Sequence, residues 1–352
     1  MISFPGLGIN DLVINDSFSV FGLFDLRFYS TIIAFGMILS VLYALWRFKA
    51  NDLKMDTVLD YAVWAIPTGI VGARLYFVFF DMLEKTINGN YEYFDNAIIV
   101  GFSEETLDFT GGRVLAFLYD VVSVWNGGLA IYGGLIVGGF VIMAVALKKK
   151  TNPLKIIDIV APAVMFAQCL GRWGNFFNME AYGGVTNLPW RMVSDSIIDD
   201  LQDHSNPNMR IDMETALKME AGELGVHPTF LYESLWNLLG TIIMITTLIV
   251  AVYILKVAKE RRIEGFFFSF YMIWYGSGRM VIEGLRTDSL WLIPGVIRVS
   301  QLVALITLVI GVLLMAFLIT RKVLQLKKNI DIWQMFKDKI KSKKEAKNGT
   351  NN

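Results

Sequence analysis

The chain is poor in the residues that build metal centres and hydrolytic sites. It holds one cysteine, Cys169, and two histidines, His204 and His227. A single cysteine excludes an internal disulfide and a cysteine-based metal cluster, and Cys169, inside an apolar run, reads as a packing residue. Without an HExxH pair the histidines do not suggest a zinc hydrolase. Charge is scarce too: Asp, Glu, Lys and Arg make up 18% of the 352 residues. The alternating pattern of a membrane barrel is absent. The N-terminus lacks a basic stretch before an apolar core, so no cleaved signal peptide is expected. No internal repeat or soluble domain is visible, and no nucleic-acid partner is expected.

What the chain has is apolar length. Apolar residues form 55% of it, and the mean hydropathy is +0.50. Seven runs are long enough to cross a bilayer: about 28–46, 58–80, 127–147, 156–177, 230–255, 265–282 and 300–319. Lipid cannot satisfy an open strand edge, so these runs predict helices. The fold class is an all-α polytopic membrane protein of about seven transmembrane helices. Residues 1–325 read as one membrane domain. The basic stretch 326–352 reads as a tail, interfacial on anionic lipid or disordered.

The zero net charge conceals an asymmetry between connecting segments. Segments after the first, third, fifth and seventh runs carry 21 Lys and Arg residues; the remaining segments carry eight. The bias alternates at every crossing, which places the N-terminus outside and the tail in the cytoplasm. Two external segments exceed a turn, 81–126 and 178–226. The first is acidic and reads as a solvated loop. The second includes an expected short helix near 211–223 and is long enough for a small extracytoplasmic cap.

Three arginines lie inside apolar runs, where a charge costs a few kcal/mol or more. Counting about 1.5 Å per residue, Arg74, Arg172 and Arg279 lie roughly 21–24 Å from the cytoplasmic ends of their helices. Tyr132 is roughly 8 Å below the outer end of its own. Four polar side chains on four helices therefore share the depth of the outer leaflet. Arg279, Glu283 and Arg286 follow one helical face, and Arg172 and Asn175 are neighbours. Glu180 returns to a nearby face if that helix persists. An Arg–Glu lock, such as Arg279 with Glu283 or Arg172 with Glu180, is one reading of the set. An excess of arginine over acid is another, and it suits a phosphate, which the planar guanidinium binds bidentately. Recurrent glycines at 127–139 fit close helix packing. His227, at the outer interface, reads as structural or as the holder of a carboxylate. On these residues alone a transferase, a transporter or flippase for an anionic lipid or solute, and a lipid-binding scaffold all remain open.

The segment GRWGNFFNMEAYGG (171–184) resembles the signature GRxGNFxNxExxG of the bacterial prolipoprotein diacylglyceryl transferases. It matches at Gly171, Arg172, Gly174, Asn175, Phe176, Asn178, Glu180 and Gly183. Further similar blocks are GARLYFV (72–78), GGLAIYGGL (127–135), HPTFLYE (227–233) and YGSGRMVIEGLR (275–286). The resemblance spans about 20–320. It implies transfer of a diacylglyceryl group from phosphatidylglycerol to the lipobox cysteine of a preprolipoprotein in the bacterial cell membrane, with a thioether formed, glycerol 1-phosphate released and no metal or cofactor needed. It implies that Arg172 binds the lipid phosphate and that Arg279 stabilises the departing phosphate. Asn175, Glu180, Gly183, Tyr275, Glu283, Arg286 and Tyr29 match other site positions. Some members have histidine where this chain has Tyr132, a position cast as catalytic. A phenol with a pKa near 10 is a poor base at neutral pH, so electrostatic activation of the thiol is the expectation here.

The charge asymmetry generates a direct test. A reporter active only outside the cytoplasm should be silent when fused after Lys328 and active when fused within 195–215. The opposite pattern would overturn the topology and move the arginines to the inner leaflet.

Overall fold

The computed structural model describes residues 1–15, 17–20, 24–51, 53–87, 131–202, 210–257, 262–287, 291–293 and 297–349. The acidic stretch 88–126, Gly127, Gly128 and His204 lie outside the described residues. The chain is an all-α polytopic membrane protein, and the described part of each of its seven apolar runs lies on a helix. These are α1 (Phe28–Ala50), α2 (Asp56–Ile87), α3 (Ile131–Lys148), α4 (Pro153–Phe177), α7 (Thr229–Ile249), α8 (Phe266–Glu283) and α9 (Val299–Gly349). Five of them, α1, α2, α4, α7 and α9, are long and apolar enough to cross a membrane, and α3 is a shorter apolar helix. Helix α8 carries Arg279 and Glu283 in its apolar stretch. Pro67 and Pro162 sit inside α2 and α4, where a membrane protein's neighbouring elements can satisfy the freed backbone.

The chain divides into two compact units, residues 1–43 with 158–352 and residues 44–157. In the second unit α2 and α3 pack backbone to backbone. A Cβ on Gly133 would fall 2.2 Å from the Gly72 carbonyl oxygen, and one on Gly72 would fall 2.5 Å from Val137. Small residues thus let the two helices touch, as the glycine recurrence predicts. Lys149 pairs with Asp60, and the Tyr61 hydroxyl lies 3.0 Å from that of Thr151.

The first unit carries a small module between α4 and α7. Two short helices, α5 (Asp195–Gln202) and α6 (Met213–Glu220), close over Ile2, Met192, Ile197, Leu201, Met219 and Val226. The expected helix near 211–223 is α6. Asp212 caps it by accepting from the Thr215 N–H at 2.9 Å; the Thr215 hydroxyl first, and this N–H with it, hold the Asp212 carboxyl below its ordinary value. Strands β5 (Val185–Thr186) and β6 (Gly225–Val226) tie the module's ends. Hairpins β1 (Ile2–Phe4) with β2 (Ile9–Leu12), β3 (Ser17–Val20) with β4 (Phe24–Arg27), and β7 (Trp291–Ile293) with β8 (Ile297–Arg298) are additions that the sequence reading does not contain. The basic tail continues α9 as one helix to Gly349.

Helix α8 starts at a residue that cannot cap it. Its N-cap is Gly265, with φ +93° and no side chain. Asp158 of α4 supplies the missing acceptors, taking the Gly265 N–H at 2.7 Å and the Phe268 N–H at 2.9 Å. One carboxylate thereby satisfies two of the donors that a helix start leaves open. Asp158→Ala should destabilise the protein by about 1–2 kcal/mol, the scale of a lost cap. Asp158→Asn keeps one acceptor and should fall between. Thermal unfolding in detergent reads the order; an alanine variant as stable as the parent would show that the cap contributes nothing.

Candidate active site

Two arginines, Arg279 buried and Arg172 partly so, share one buried carboxylate. Arg172, near the end of α4, places Nη2 2.6 Å from Glu233 Oε2. Arg279 of α8 donates to the other oxygen of Glu233, and its own Nη2 lies 2.7 Å from Glu283 Oε2. Glu233, on the first turns of α7, is 4% exposed and Glu283 2%. Three helices of the first unit, α4, α7 and α8, are therefore joined by a chain Arg172–Glu233–Arg279–Glu283. The lock expected between Arg279 and Glu283 forms. The one between Arg172 and Glu180 does not, because Glu233 takes that guanidinium.

Glu233 is the residue that the sequence reading missed. It stands inside HPTFLYE five residues into an apolar helix, and an acid at that place is itself a signal. Counting it changes the charge balance, since Arg172 and Arg279 are matched by Glu233 and Glu283. Two further arginines stand nearby: Arg286, within electrostatic reach of Glu233, and Arg298, which donates to the Glu283 backbone carbonyl. Arg298 was counted only as an outer-loop charge. With Glu180, four arginines face three carboxylates in this named set, one net positive charge.

Glu180 reaches the site by a turn. Helix α4 ends at Phe177, and Met179 and Ala181 adopt φ of +53° and +60°. That left-handed backbone, rare outside glycine, folds Glu180 back. Its Oε1 accepts from Asn175 Nδ2 at 2.9 Å and Asn178 Nδ2 at 3.2 Å. Asn175 Oδ1 in turn lies 3.4 Å from Arg172 Nη1. The arginine thus spends one nitrogen fully on Glu233 and makes only a long contact with the other. Tyr29 lies against this face. A Cβ on Gly174 would fall 2.4 Å from the Tyr29 ring, so the glycine makes room for the tyrosine, which is within electrostatic reach of Glu180 and Arg172.

Gly183 is pinned on three sides. Its N–H donates to the His227 carbonyl at 2.9 Å, and it bridges to Arg286. A Cβ there would fall 2.8 Å from His227 Cβ and 2.9 Å from the Leu285 carbonyl oxygen. The glycine stitches the chain after α4 to the start of α7 and the end of α8. Among the described residues His227 holds no carboxylate. Its Nδ1 lies 3.1 Å from the Tyr232 hydroxyl, which also accepts from Trp190 at 2.6 Å. Burial holds the His227 imidazole below its ordinary value, so it is neutral at physiological pH. Tyr275 is buried, one turn from Arg279, and its ring stacks 5.7 Å from that of Tyr271.

Arg74 and Tyr132 belong to the second unit. Arg74 is buried beside the Phe77 ring, and the Tyr132 ring lies 6.4 Å from that of Tyr76. The cluster above is built from first-unit residues alone. Among the described residues no group of His, Cys, Asp and Glu is placed to hold a metal ion.

Fold and cluster together define a polytopic membrane protein with an arginine–carboxylate site among its helices. The family model for prolipoprotein diacylglyceryl transferase matches residues 16–317. Proteins named phosphatidylglycerol–prolipoprotein diacylglyceryl transferase are among its relatives. One from Streptococcus agalactiae serotype Ia is 35% identical over 297 residues, 84% of this chain and 93% of that one. Another from Streptococcus pyogenes serotype M5 is 35% identical over 297 residues, covering 84% and 91%. The chain belongs to the prolipoprotein diacylglyceryl transferase family.

The double role of Glu233 generates a comparison. Removing one partner of a buried ion pair costs about 3–5 kcal/mol. Glu233→Gln takes the counter-charge from two arginines, whereas Glu283→Gln leaves Arg279 its bond to Glu233. Thermal unfolding should therefore show the larger loss for Glu233→Gln. Equal stability of that variant and the parent would mean that solvent, not Glu233, balances the arginines.

Proposed function

We propose that the protein transfers the diacylglyceryl group of phosphatidylglycerol to the thiol of the lipobox cysteine of preprolipoproteins, the first step of bacterial lipoprotein maturation. The observation that carries the reading is the pair of arginines from separate helices, fixed by one carboxylate, in a chain of this family. The protein lies in the cytoplasmic membrane with its N-terminus outside, its C-terminus in the cytoplasm and its site in the outer leaflet, as the loop charges argue. An anionic lipid enters such a site sideways, without crossing water. The segment 178–226 forms the extracytoplasmic cap.

The chemistry asks little of the protein beyond charge and position. The cysteine sulfur attacks the diacylglyceryl carbon that bears the phosphate oxygen. The carbon–oxygen bond breaks, a thioether forms, and the thiol proton ends on the departing glycerol phosphate. A thiol with a pKa of about 8.5 is already a few per cent thiolate at neutral pH, and a positive site raises that share. Arg172 binds the phosphate through the donors that Glu233 leaves over. Arg279 stabilises charge on the phosphate as it leaves, a preorganised donor that meets charge where it develops. Glu233 and Glu283 hold Arg279 in place, Asn175 and Glu180 orient Arg172, and Arg286 adds positive potential. Tyr29, Gly183 and Tyr275 shape the lipid site. Tyr132 serves as a hydrogen-bond donor and packing ring, not as a base.

Purified protein incubated with labelled phosphatidylglycerol and a lipobox peptide should yield lipidated peptide. Arg172→Lys and Arg279→Lys should each lower transfer on the order of 10²-fold, the cost of one preorganised donor, because an ammonium does not reproduce the guanidinium fork. No lipidated peptide from the parent would refute the reading. Near-normal turnover of both variants would make the arginines members of a structural lock.

A further inference from the structure

Helices α7 and α8 carry the same spacing of two residue types. Trp236 is followed at i+4 by Gly240, and Trp274 is followed at i+4 by Gly278. The two copies meet head to tail. Trp236 Nε1 donates to the Trp274 carbonyl at 2.9 Å, and Trp274 Nε1 donates to the Trp236 carbonyl at 2.9 Å. The indoles stack with centroids 4.5 Å apart and planes 19° apart. Each ring also fills the space that a glycine vacates on the other helix. A Cβ on Gly278 would fall 2.2 Å from Trp236 Nε1, and one on Gly240 would fall 2.5 Å from Trp274 Nε1. The arrangement is reciprocal in hydrogen bonding, stacking and fit.

We propose that this double tryptophan–glycine clasp is a positioning device that sets the register of α8 on α7 and so delivers Arg279 to Glu233. Glu233 lies three residues before Trp236, and Arg279 directly follows Gly278. The ion pair is therefore the next contact along the same antiparallel interface. Helices in lipid lack a strong hydrophobic force to fix how far one slides on the other. A slip of one turn, about 5.4 Å, would part Arg279 from Glu233. It would also strip both indole N–H groups of partners where water is absent, and drive each ring out of its glycine gap. Two glycines and two donors make the register a two-point lock. The indoles touch neither Arg172 nor the Arg279 head group through any bond named above, so they act through the helices. The functional half of this inference rests on the transferase reading; the register itself does not.

The test uses the full chain in detergent micelles. Gly278→Ala, Glu233→Gln and the double variant form a thermal-unfolding cycle. If the clasp holds the Arg279–Glu233 pair, the first change already weakens that pair, and the combined shift in Tm should be clearly smaller than the sum of the single shifts. Additive shifts would overturn the proposal. Where Gly278→Ala does not fold, Trp236→Phe, which keeps a ring and loses one donor, takes its place in the cycle. In the transfer assay Gly278→Ala should lower kcat on the order of tenfold or more with the peptide KM within about twofold, since a small misplacement costs chemistry before binding. Adding Trp236→Phe, whose smaller ring admits the new methyl, should recover part of that loss. A lowered Tm with kcat intact would show that the clasp is only adhesive, and would overturn the proposal. A coupled cycle in a parent that transfers nothing would uphold the register and sink the transferase reading instead.

Discussion

A charge inside a bilayer must be matched, and the rest of this site follows from how two arginines are matched. Arg172 and Arg279 come from different helices, and one carboxylate serves both. Glu233 can do so because a carboxylate has two oxygens with independent lone pairs, one turned to each guanidinium. The geometry links three helices through a single residue. Helix α4 enters through Arg172, α7 through Glu233 and α8 through Arg279. Each helix has a second tie as well: Asp158 binds α4 to the start of α8, and Gly183 binds the chain after α4 to α7 and α8. The ion pairs thus sit between fixed points, which keeps a buried charge network from relaxing into alternatives.

Much of this was legible in the sequence because the bilayer makes errors expensive. Arg172 and Arg279 stood out as charges within apolar runs, and Arg279 with Glu283 as an i, i+4 pair. The glycines of 133 and 134 announced close packing and they provide it. What escaped had physical reasons. Glu233 follows a histidine and a proline at a helix start, so it reads as a boundary residue rather than an interior one. Glu180 was expected near Arg172 only if the helix persisted that far. The chain instead leaves the helix after Phe177 through left-handed Met179 and Ala181, a conformation that those residue types do not advertise. The hairpins before α1 are short and amphipathic only locally, so their pairing gives no periodic signal. The tryptophan–glycine spacing lies open in the sequence. It becomes meaningful only when two helices are known to be antiparallel neighbours.

A matched arginine is not a spent arginine. A guanidinium has five N–H donors, and Arg172 commits one nitrogen to Glu233 at 2.6 Å while its contact with Asn175 is 3.4 Å. The carboxylate aims the guanidinium without saturating it. Such aiming suits electrostatic catalysis, where donors already in place cost no reorganisation as charge develops. Had Arg172 lacked Glu233, it would have drawn water or lipid phosphate indiscriminately, and its direction would have varied with the guest.

The charge balance of the wider cluster leads to the same conclusion. Four arginines and three carboxylates leave one positive charge in the named set, and a phosphodiester brings one negative charge. Binding the lipid would therefore neutralise the cluster rather than overload it. The departing phosphate monoester carries up to two negative charges, so the balance tips negative only after the carbon–oxygen bond has broken. On the proposed reading, that set is positive before binding, neutral with substrate and strained by its product. That sequence favours lipid entry and product release with the same set of side chains, and it requires the carboxylates as much as the arginines. With Glu233 neutral, Arg172 would lose its counter-charge and Arg279 would keep only Glu283, so the product would leave more slowly.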